Sequence, residues 1–490
     1  MKVPEDFLVR ARGFEIEIIA DVLDHRIPVI VSGFDQRDTL TLQVAQRDRI
    51  RHASDPGLQR ALMAVLVQAL MHAQEGVLAQ LAGFLRITHH AQDDVPAQPL
   101  VLTHQALLDS LWDNTIKTVL LKRFPNATEE ELKTAHGYSY GGCIIQDLGY
   151  YPFGSRFFSD LVHYVRSADF LQALLAEPRD LNEYAFALGA VSHYGADVEG
   201  HALGVNRAVP ILYPKLRRKF GDEVTFGDDP SSHIKTEFGF DVLQVARGHY
   251  ATKAYHDSIG FHVSKDLLER AFQRTYGLKL EYIFHRLDLA LETYRYSICT
   301  LIPEMTKAAW AAKNKDITKQ DPGISRKRFL YNISQASYEK EWGSDYQRPG
   351  LGARFLAFLF RMIPKYGPLK AFGFKVPSPQ VEQMFEKSFD AAAQRNRLSY
   401  RQAEQGGLKL TNRDLDTGGR VSPGEYVLTD RTYDELLVKL AEKKFDGVTT
   451  DLRENILVFY DAMKSPDPHG IDTKLRLLRA YTPAGDDPPF

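Results

Sequence analysis

Cysteine is almost absent: Cys143 and Cys299 are the only two in 490 residues. That excludes a disulfide framework and a thiolate metal site, so any metal held by this chain must use imidazole and carboxylate. An excess of one charge is lacking too. The chain has 61 Lys and Arg against 63 Asp and Glu, a net charge of -2, so no global field draws nucleic acid. No apolar run is long enough to span a membrane. Residues 1–10 lack the basic start and apolar core of a secretion signal. Repeats and low-complexity tracts are missing as well. What remains is ordinary for a soluble globular chain, with 44% hydrophobic and 25% charged residues. The length suits about three average domains, or one large enzyme with appendages.

One segment qualifies the exclusion of a secretion signal. Arg60 precedes the apolar run 61–73, which begins Ala61-Leu62-Met63 and is interrupted by Gln68. It reads as a buried amphipathic helix. Its sharper reading is a start of translation near Met63, which makes the product an exported one, periplasmic or extracellular; otherwise a cytoplasmic product is expected.

Three regions follow from pattern. Residues 1–95 form an N-terminal extension of mixed character: helical spacing over 14–24, short strands at 27–31 and 39–44, and a helix over 58–86. Residues 88–99 are polar with two prolines and read as a linker, with His89 and His90 on a solvated loop. From Leu102 onward helices dominate. Thr103 is the expected N-cap of the first, Asn182 of a helix over 182–202, and Ser231 or Ser232 of the helix that follows. Further helices are expected over 265–276, 280–301, 304–312, 326–341, 432–444 and 449–464, with a loop over 417–426. The fold class is therefore all-α: a multi-helix catalytic bundle over 98–300 and a helical C-terminal region over 301–490. Residues 349–375 mix Leu351, Phe355, Phe358 and Ile363 with Arg354, Arg361 and Lys365. This reads as a core helix with a basic edge, or as an interfacial helix making peripheral membrane contact.

The chemistry is concentrated between His193 and Glu237. The order is His193-x3-Asp197-x3-His201, then His233-x3-Glu237. Residues four apart share a helix face. Eight residues of helix rise about 12 Å, whereas metal–ligand bonds are about 2 Å. His193 and His201 must then serve different ions, with Asp197 between them as a bridge. His104, Asp147 and His163 are further candidates from separate helices, and His136 competes with His104 through its proximity to Asp147.

The order His, Asp, His, His-x3-Asp-x3-His, His-x3-Glu resembles the zinc-dependent phospholipase C family, whose all-helical fold and zinc site are shared by the fungal single-strand nucleases. The resemblance rests on Leu102-Thr103-His104, on Gln146-Asp147-Leu148-Gly149-Tyr150-Tyr151-Pro152, on Ser159-Asp160-Leu161-Val162-His163-Tyr164, on Ser192-His193-Tyr194-Gly195-Ala196-Asp197 and on the stretch 233–241. It implies one zinc held by Asp147, His163, His193 and Asp197, and a second held by His201, His233 and Glu237. A third zinc would be shared by Asp197 and His104. In the family that ion also takes the amino group and carbonyl of the mature N-terminal residue, which here requires cleavage close to Pro99. The implied reaction is phosphodiester hydrolysis of phospholipase C type, with phospholipid or another phosphodiester as substrate. Asp147 is the carboxylate expected to orient or deprotonate the attacking water. Tyr150, Tyr151, Phe153 and Tyr194 stand ready to face a choline-like cation or a base, or to fill the core. Two other readings remain: a single-strand nuclease of the same fold, and a non-catalytic helical protein with structural zinc.

Overall fold

In a computed structural model of the chain, the described residues are 7–12, 15–22, 25–35, 39–44, 101–151, 153–247, 261–298, 374–463 and 471–483. They fall into two compact units, Met1–Gln92 and Asp93–Phe490. The helix expected over 58–86, the segment around Met63, the pair His89 and His90, the helices over 304–312 and 326–341, and residues 349–373 of the basic–aromatic stretch lie outside the described residues.

The first unit carries a four-stranded antiparallel sheet in the order β1-β2-β3-β4. Its strands are β1 (Phe7–Arg12), β2 (Glu15–Val22), β3 (His25–Asp35) and β4 (Thr39–Val44). Helical spacing over 14–24 is overturned by β2. Its sequence Glu15-Ile16-Glu17-Ile18 alternates polar and β-branched residues with period two, which suits a strand better than a helix. β2 pairs with β3 from Glu15↔Ser32 to Val22↔His25. The β3–β4 register shifts between Ser32 and Phe34.

The second unit is all-α. Its described helices are α1 (Val101–Leu111), α2 (Lys117–Arg123), α3 (Glu129–Gly142), α4 (Arg156–Tyr164), α5 (Ser167–Ala176) and α6 (Leu181–Glu199). Then come α7 (Asn206–Leu212), α8 (Pro214–Phe220), α9 (Pro230–Arg247), α10 (Lys265–Tyr276) and α11 (Leu287–Tyr296). The C-terminal set is α12 (Pro379–Glu404), α13 (Val427–Glu442), α14 (Thr450–Asp461) and α15 (Ile471–Ala480). The single helix expected over 280–301 is instead a 3-10 turn, Leu280–Tyr282, followed by α11. Among the described residues no helix is long and apolar enough to cross a membrane.

Helix starts differ from expectation in an instructive way. The α3 start has a capping box, Thr128 with Glu131. At α6 the cap is Asp180, whose carboxylate accepts the Glu183 N–H at 2.8 Å, and Asn182 lies inside the helix. At α9 Asp229 accepts the Ser232 N–H at 2.7 Å, so the serines follow the cap. Thr103 sits within α1, and the Asp241 carboxylate on α9 accepts the N–H groups of Leu102 and Thr103, each at 3.2 Å. That bond fixes the turn carrying His104 against the helix carrying His233.

α3 and α6 cross closely, and glycine permits it. A Cβ on Gly189 would stand 2.1 Å from the Ser139 carbonyl oxygen, and one on Gly142 2.0 Å from the Phe186 carbonyl oxygen. Backbone cannot retreat as a side-chain tip can. Gly189→Ala should therefore destabilise the fold by about 1–3 kcal/mol or more, read as a lowered denaturation midpoint. An unchanged midpoint would contradict the close crossing. Elsewhere on α6, Asn396 of the long α12 donates to the Ser192 carbonyl at 3.1 Å.

The C-terminal region is fastened to the bundle by the loop before α13. Arg166 precedes α5 with φ of 52° and makes no side-chain cap. The orphan N–H groups of Ala168 and Asp169 are accepted by Asn412 Oδ1 at 2.9 and 3.1 Å. Leu415 N–H donates to the His163 carbonyl at 3.1 Å, at the end of α4.

Candidate metal centre

α6 supplies the middle of the site. His193 and Asp197 lie on one face of it and are buried. His201 follows in a π-helical turn, Gly200–Val205, where the helix widens. Such turns re-aim a side chain at functional positions. Here the widening carries His201 Nε2 to 3.1 Å from Glu237 Oε1 on α9, while it stays 3.9 Å from Asp197 Oδ1.

Asp147 comes from a 3-10 turn, Ile145–Tyr150. Ser159 on α4 bridges that turn, donating to the Gln146 carbonyl and accepting the Gly149 N–H at 2.9 Å. A Cβ on Gly149 would stand 2.1 Å from the Ser155 carbonyl oxygen, so this position needs glycine. The staple holds Asp147 opposite His163, one turn further along α4.

Two imidazoles are oriented by backbone. His163 Nδ1 lies 2.8 Å from the Ser159 carbonyl and His193 Nδ1 3.0 Å from the Cys143 carbonyl. A carbonyl only accepts, so both Nδ1 atoms carry a proton and both Nε2 atoms face inward, where the neutral ring offers its lone pair. Those two Nε2 atoms are 3.3 Å apart. His163 Nε2 is 3.4 Å from Asp147 Oδ1 and 3.4 Å from Asp197 Oδ2. His193 Nε2 is 3.0 Å from Asp197 Oδ2 and 3.9 Å from Asp147 Oδ1. A tetrahedral ion with bonds of about 2.0–2.1 Å separates its ligand atoms by roughly 3.3–3.4 Å. Most of these separations lie near that value, and ligand atoms of Asp147, His163 and His193 fall within 4.8 Å of one another.

Asp197 faces two ways. Its Oδ2 serves His163 and His193, while its Oδ1 is 3.3 Å from His104 Nε2 and 3.9 Å from His201 Nε2. Glu237 Oε1 is 3.1 Å from both His201 Nε2 and His233 Nε2. Three groups of ligand atoms result: Asp147 with His163 and His193; His201 with His233 and Glu237; and His104 with His193 and Asp197. All eight residues singled out by spacing and order are thus brought together. His136 is not: it stacks on Trp112 with ring centroids 3.8 Å apart and lies 3.1 Å from Asp109.

Spacing did not reveal Asp416. It is buried, comes from the loop before α13, and lines the cavity with Asp147, Tyr150, His163, Tyr164, Asp197, His201, Phe226, His233 and Glu237. Of the four aromatics proposed to face a ligand, only Tyr150 is in that lining. Tyr194 instead donates to the Thr411 carbonyl at 2.7 Å, and Tyr151 packs against Tyr294. The cavity is ≈ 30 Å³, room for about two waters. A larger hollow of ≈ 490 Å³ lies between Arg207, Ile211, Arg217, Glu223 and Met384, with no histidine in its lining.

Electrostatics argue for cations. Four carboxylates line the cavity, and no Lys or Arg does. Burying such charges uncompensated is costly, and two divalent ions would balance four carboxylates. Without metal, protons do part of that work. Burial disfavours a charged His163, but the hydrogen bonds and charges of Asp147 and Asp197 outweigh it and raise its pKa to about 10. Burial likewise opposes the charge on His201, and Asp197, Glu237 and Asp416 raise its pKa to about 10. His104 is pushed down to about 4 by burial and by His193. Burial favours the neutral form of Glu237, yet His233 and His201 hold it down to about 2.

Several buried polar atoms have no hydrogen-bond partner among the described residues: His104 Nδ1, Asp147 Oδ2, His201 Nδ1, Asp416 Oδ1 and both ring nitrogens of His233. All but the His104 atom belong to residues lining the one cavity, and buried polar groups collected in this way suit the binding of cations. The donor set, nitrogen and oxygen without sulfur, suits zinc.

Fold and cluster together define a helical domain built around buried imidazoles and carboxylates at metal-ligand spacing. Residues 103–285 match the model of the zinc-dependent phospholipase C family, from the turn of His104 to just before α11. No curated protein and no solved structure matches the chain. The match bears out the resemblance read from the order of the motifs, and Asp416 and the helices α12 to α15 lie beyond it.

Proposed function

We propose that this protein is a zinc-dependent phosphodiester hydrolase of phospholipase C type. The observation that carries the reading is the spacing of His163, His193, Asp147 and Asp197, at 3.0–3.9 Å. Asp147, His163, His193 and Asp197 would hold one zinc, and His201, His233 and Glu237 a second, with Asp197 as the bridge. His104 with Asp197 Oδ1 offers a place for a third. Bound zinc would supply Lewis acidity to the phosphoryl oxygens and lower the pKa of water.

The chain's own residues do the rest. His163 and His193 are held by carbonyls, so their Nε2 lone pairs need no reorientation. Asp147 Oδ2 is buried and has no hydrogen-bond partner among the described residues. It is the acceptor available to orient the attacking water and take its proton. Tyr150, Tyr164 and Phe226 form an aromatic wall beside these groups. That wall excludes bulk water and strengthens every charge inside.

Lipid is preferred over nucleic acid as substrate. The chain has a net charge of -2 and no Lys or Arg in the cavity lining, whereas nuclease grooves track phosphates with Lys and Arg. The peripheral membrane contact proposed for 349–375 fits the same choice. The test compares phosphatidylcholine vesicles with single-stranded DNA on the zinc-loaded protein. Release of phosphorylated headgroup from vesicles is expected. Cleavage of DNA alone would replace this reading by the nuclease, and tight zinc binding with no turnover of either would leave the structural-zinc reading.

A further inference from the structure

Asp416 lies in a loop that is held from several sides. Its backbone carbonyl accepts from Asn206 Nδ2 at 2.7 Å. Its carboxylate Oδ2 accepts the Phe226 N–H at 3.0 Å and the Tyr426 hydroxyl. One turn of chain earlier, Asp414 accepts the Thr417 N–H at 2.6 Å, closing the bend that presents Asp416. With Oδ2 committed, only Oδ1 remains. It is buried and has no hydrogen-bond partner among the described residues. Its nearest basic atoms are His201 Nδ1 at 3.6 Å and His233 Nε2 at 3.9 Å.

His201 shows the matching half. Its Nε2 faces Glu237 and Asp197, the side on which a metal would sit. Its Nδ1 is buried and equally without a hydrogen-bond partner. A neutral imidazole that gives Nε2 to a metal carries its proton on Nδ1 and must donate it. The two orphans face each other a few tenths of an ångström beyond hydrogen-bond reach, a gap that a small ring rotation closes. Metal-bound histidines are commonly oriented by a carboxylate in this way.

We propose that Asp416 is a positioning residue for the second metal, accepting the Nδ1 proton of His201 and so fixing which ring nitrogen faces the ion. The inference rests on the metal reading above. Its consequence is that the region carrying α12 to α15, outside the family-matched segment, is part of the working site. The loop of Asp416 replaces a backbone carbonyl, which does the same task for His163 and His193, with a carboxylate delivered from 215 residues away in sequence, as the numbers 201 and 416 show.

The test is chelator-competition titration of zinc on the parent chain, Asp416→Ala and Asp416→Asn, with circular dichroism of the zinc-free proteins as the folding control. Asp416→Ala is expected to weaken one zinc equivalent about 10–100-fold and leave the tightest one unchanged. Asp416→Asn keeps an acceptor oxygen and should recover most of that loss. ¹⁵N-histidine NMR of the zinc-loaded parent should show a protonated, hydrogen-bonded His201 Nδ1 whose shift moves in Asp416→Asn, which decides the matter even if the alanine variant does not fold. Parent affinity in both variants, complete loss of an equivalent in Asp416→Asn (a direct ligand), or equal weakening of all equivalents would overturn the inference. A parent chain that binds no zinc would overturn the metal reading and this inference with it.

Discussion

Asp197→Asn should lose more than one zinc per chain and reduce phosphodiester hydrolysis by at least about a thousandfold, some ~4 kcal/mol of transition-state stabilisation. The reason is the division of labour between its two oxygens. Oδ2 lies 3.0 Å from His193 Nε2 and 3.4 Å from His163 Nε2, and Oδ1 lies 3.3 Å from His104 Nε2 and 3.9 Å from His201 Nε2. An amide presents one neutral oxygen in place of two that share a negative charge, so it cannot bridge. Burial favours protonated Asp197, but His193, His201 and His163 hold its pKa well below the ordinary carboxylate range. It therefore stays ionised at neutral pH. Metal analysis of the purified variant checks the point, and loss of a single equivalent would contradict the bridge. Truncating a terminal ligand such as His233 should cost one ion only, which makes the pair of variants diagnostic.

Stripping zinc should lower the melting temperature by on the order of 5–10 °C and take up about two protons per chain at pH 7. Two ions, each present at a thousand times its Kd, together stabilise the native state by about 8 kcal/mol, and a kcal/mol is worth about one degree in a unit as long as Asp93–Phe490. The protons bind to the two raised imidazoles. Folded His163 and His201 titrate at about 10 without metal, above the ordinary value of about 6.5. Both are therefore charged at pH 7 when zinc is gone, and both must be neutral when it is bound. The sign for the metal-free protein follows from linkage. A pKa raised on folding contributes stability that is complete below about 6.5 and lost as pH rises through about 10. Metal-free stability should then decline across that window, and zinc-loaded activity should fall on the acid side as ligands protonate. Calorimetry in two buffers of different ionisation enthalpy counts the protons. An unchanged melting temperature with no proton uptake would contradict both halves.

Much of the site was legible because its chemistry is written in helix periodicity. Four-residue spacing puts His193 over Asp197, and His233 over Glu237, wherever a helix forms, and the order of His104, Asp147 and His163 before them matched a family pattern. The widened turn at Gly200–Val205 was not legible. Its effect is to aim His201 at Glu237, a detail set by packing between α6 and α9 rather than by composition. Helix caps were misplaced for a related reason. Asp180 and Asp229 stand just upstream of Asn182, Ser231 and Ser232, and all of these residue types cap well, so neighbouring contacts decide among them. The cap of α1 could not be read locally, since Asp241 supplies it from another helix.

Asp416 marks the limit more sharply. It has no partner at helical spacing, and its segment Asn412-Arg413-Asp414-Leu415-Asp416-Thr417-Gly418-Gly419 reads only as a polar turn. Its position depends on Asn412 capping α5 and on Leu415 bonding the end of α4. Those are contacts between elements far apart in sequence, so only the folded chain reveals that the loop reaches the metal cluster. In the first unit the error ran the other way. β2 was misread from a short window in which apolar residues fit both periods, and pairing with β1 and β3 decides for the strand.

The central claim is that one carboxylate joins two metal positions in a single buried cluster. Diffraction data from crystals of the zinc-loaded protein, collected on both sides of the zinc absorption edge, test it most directly. The account predicts one anomalous peak among Asp147, His163, His193 and Asp197 and a second among His201, His233 and Glu237, with Asp197 contacting more than one ion. A single peak, or peaks that leave Asp197 bound to one ion alone, would contradict it.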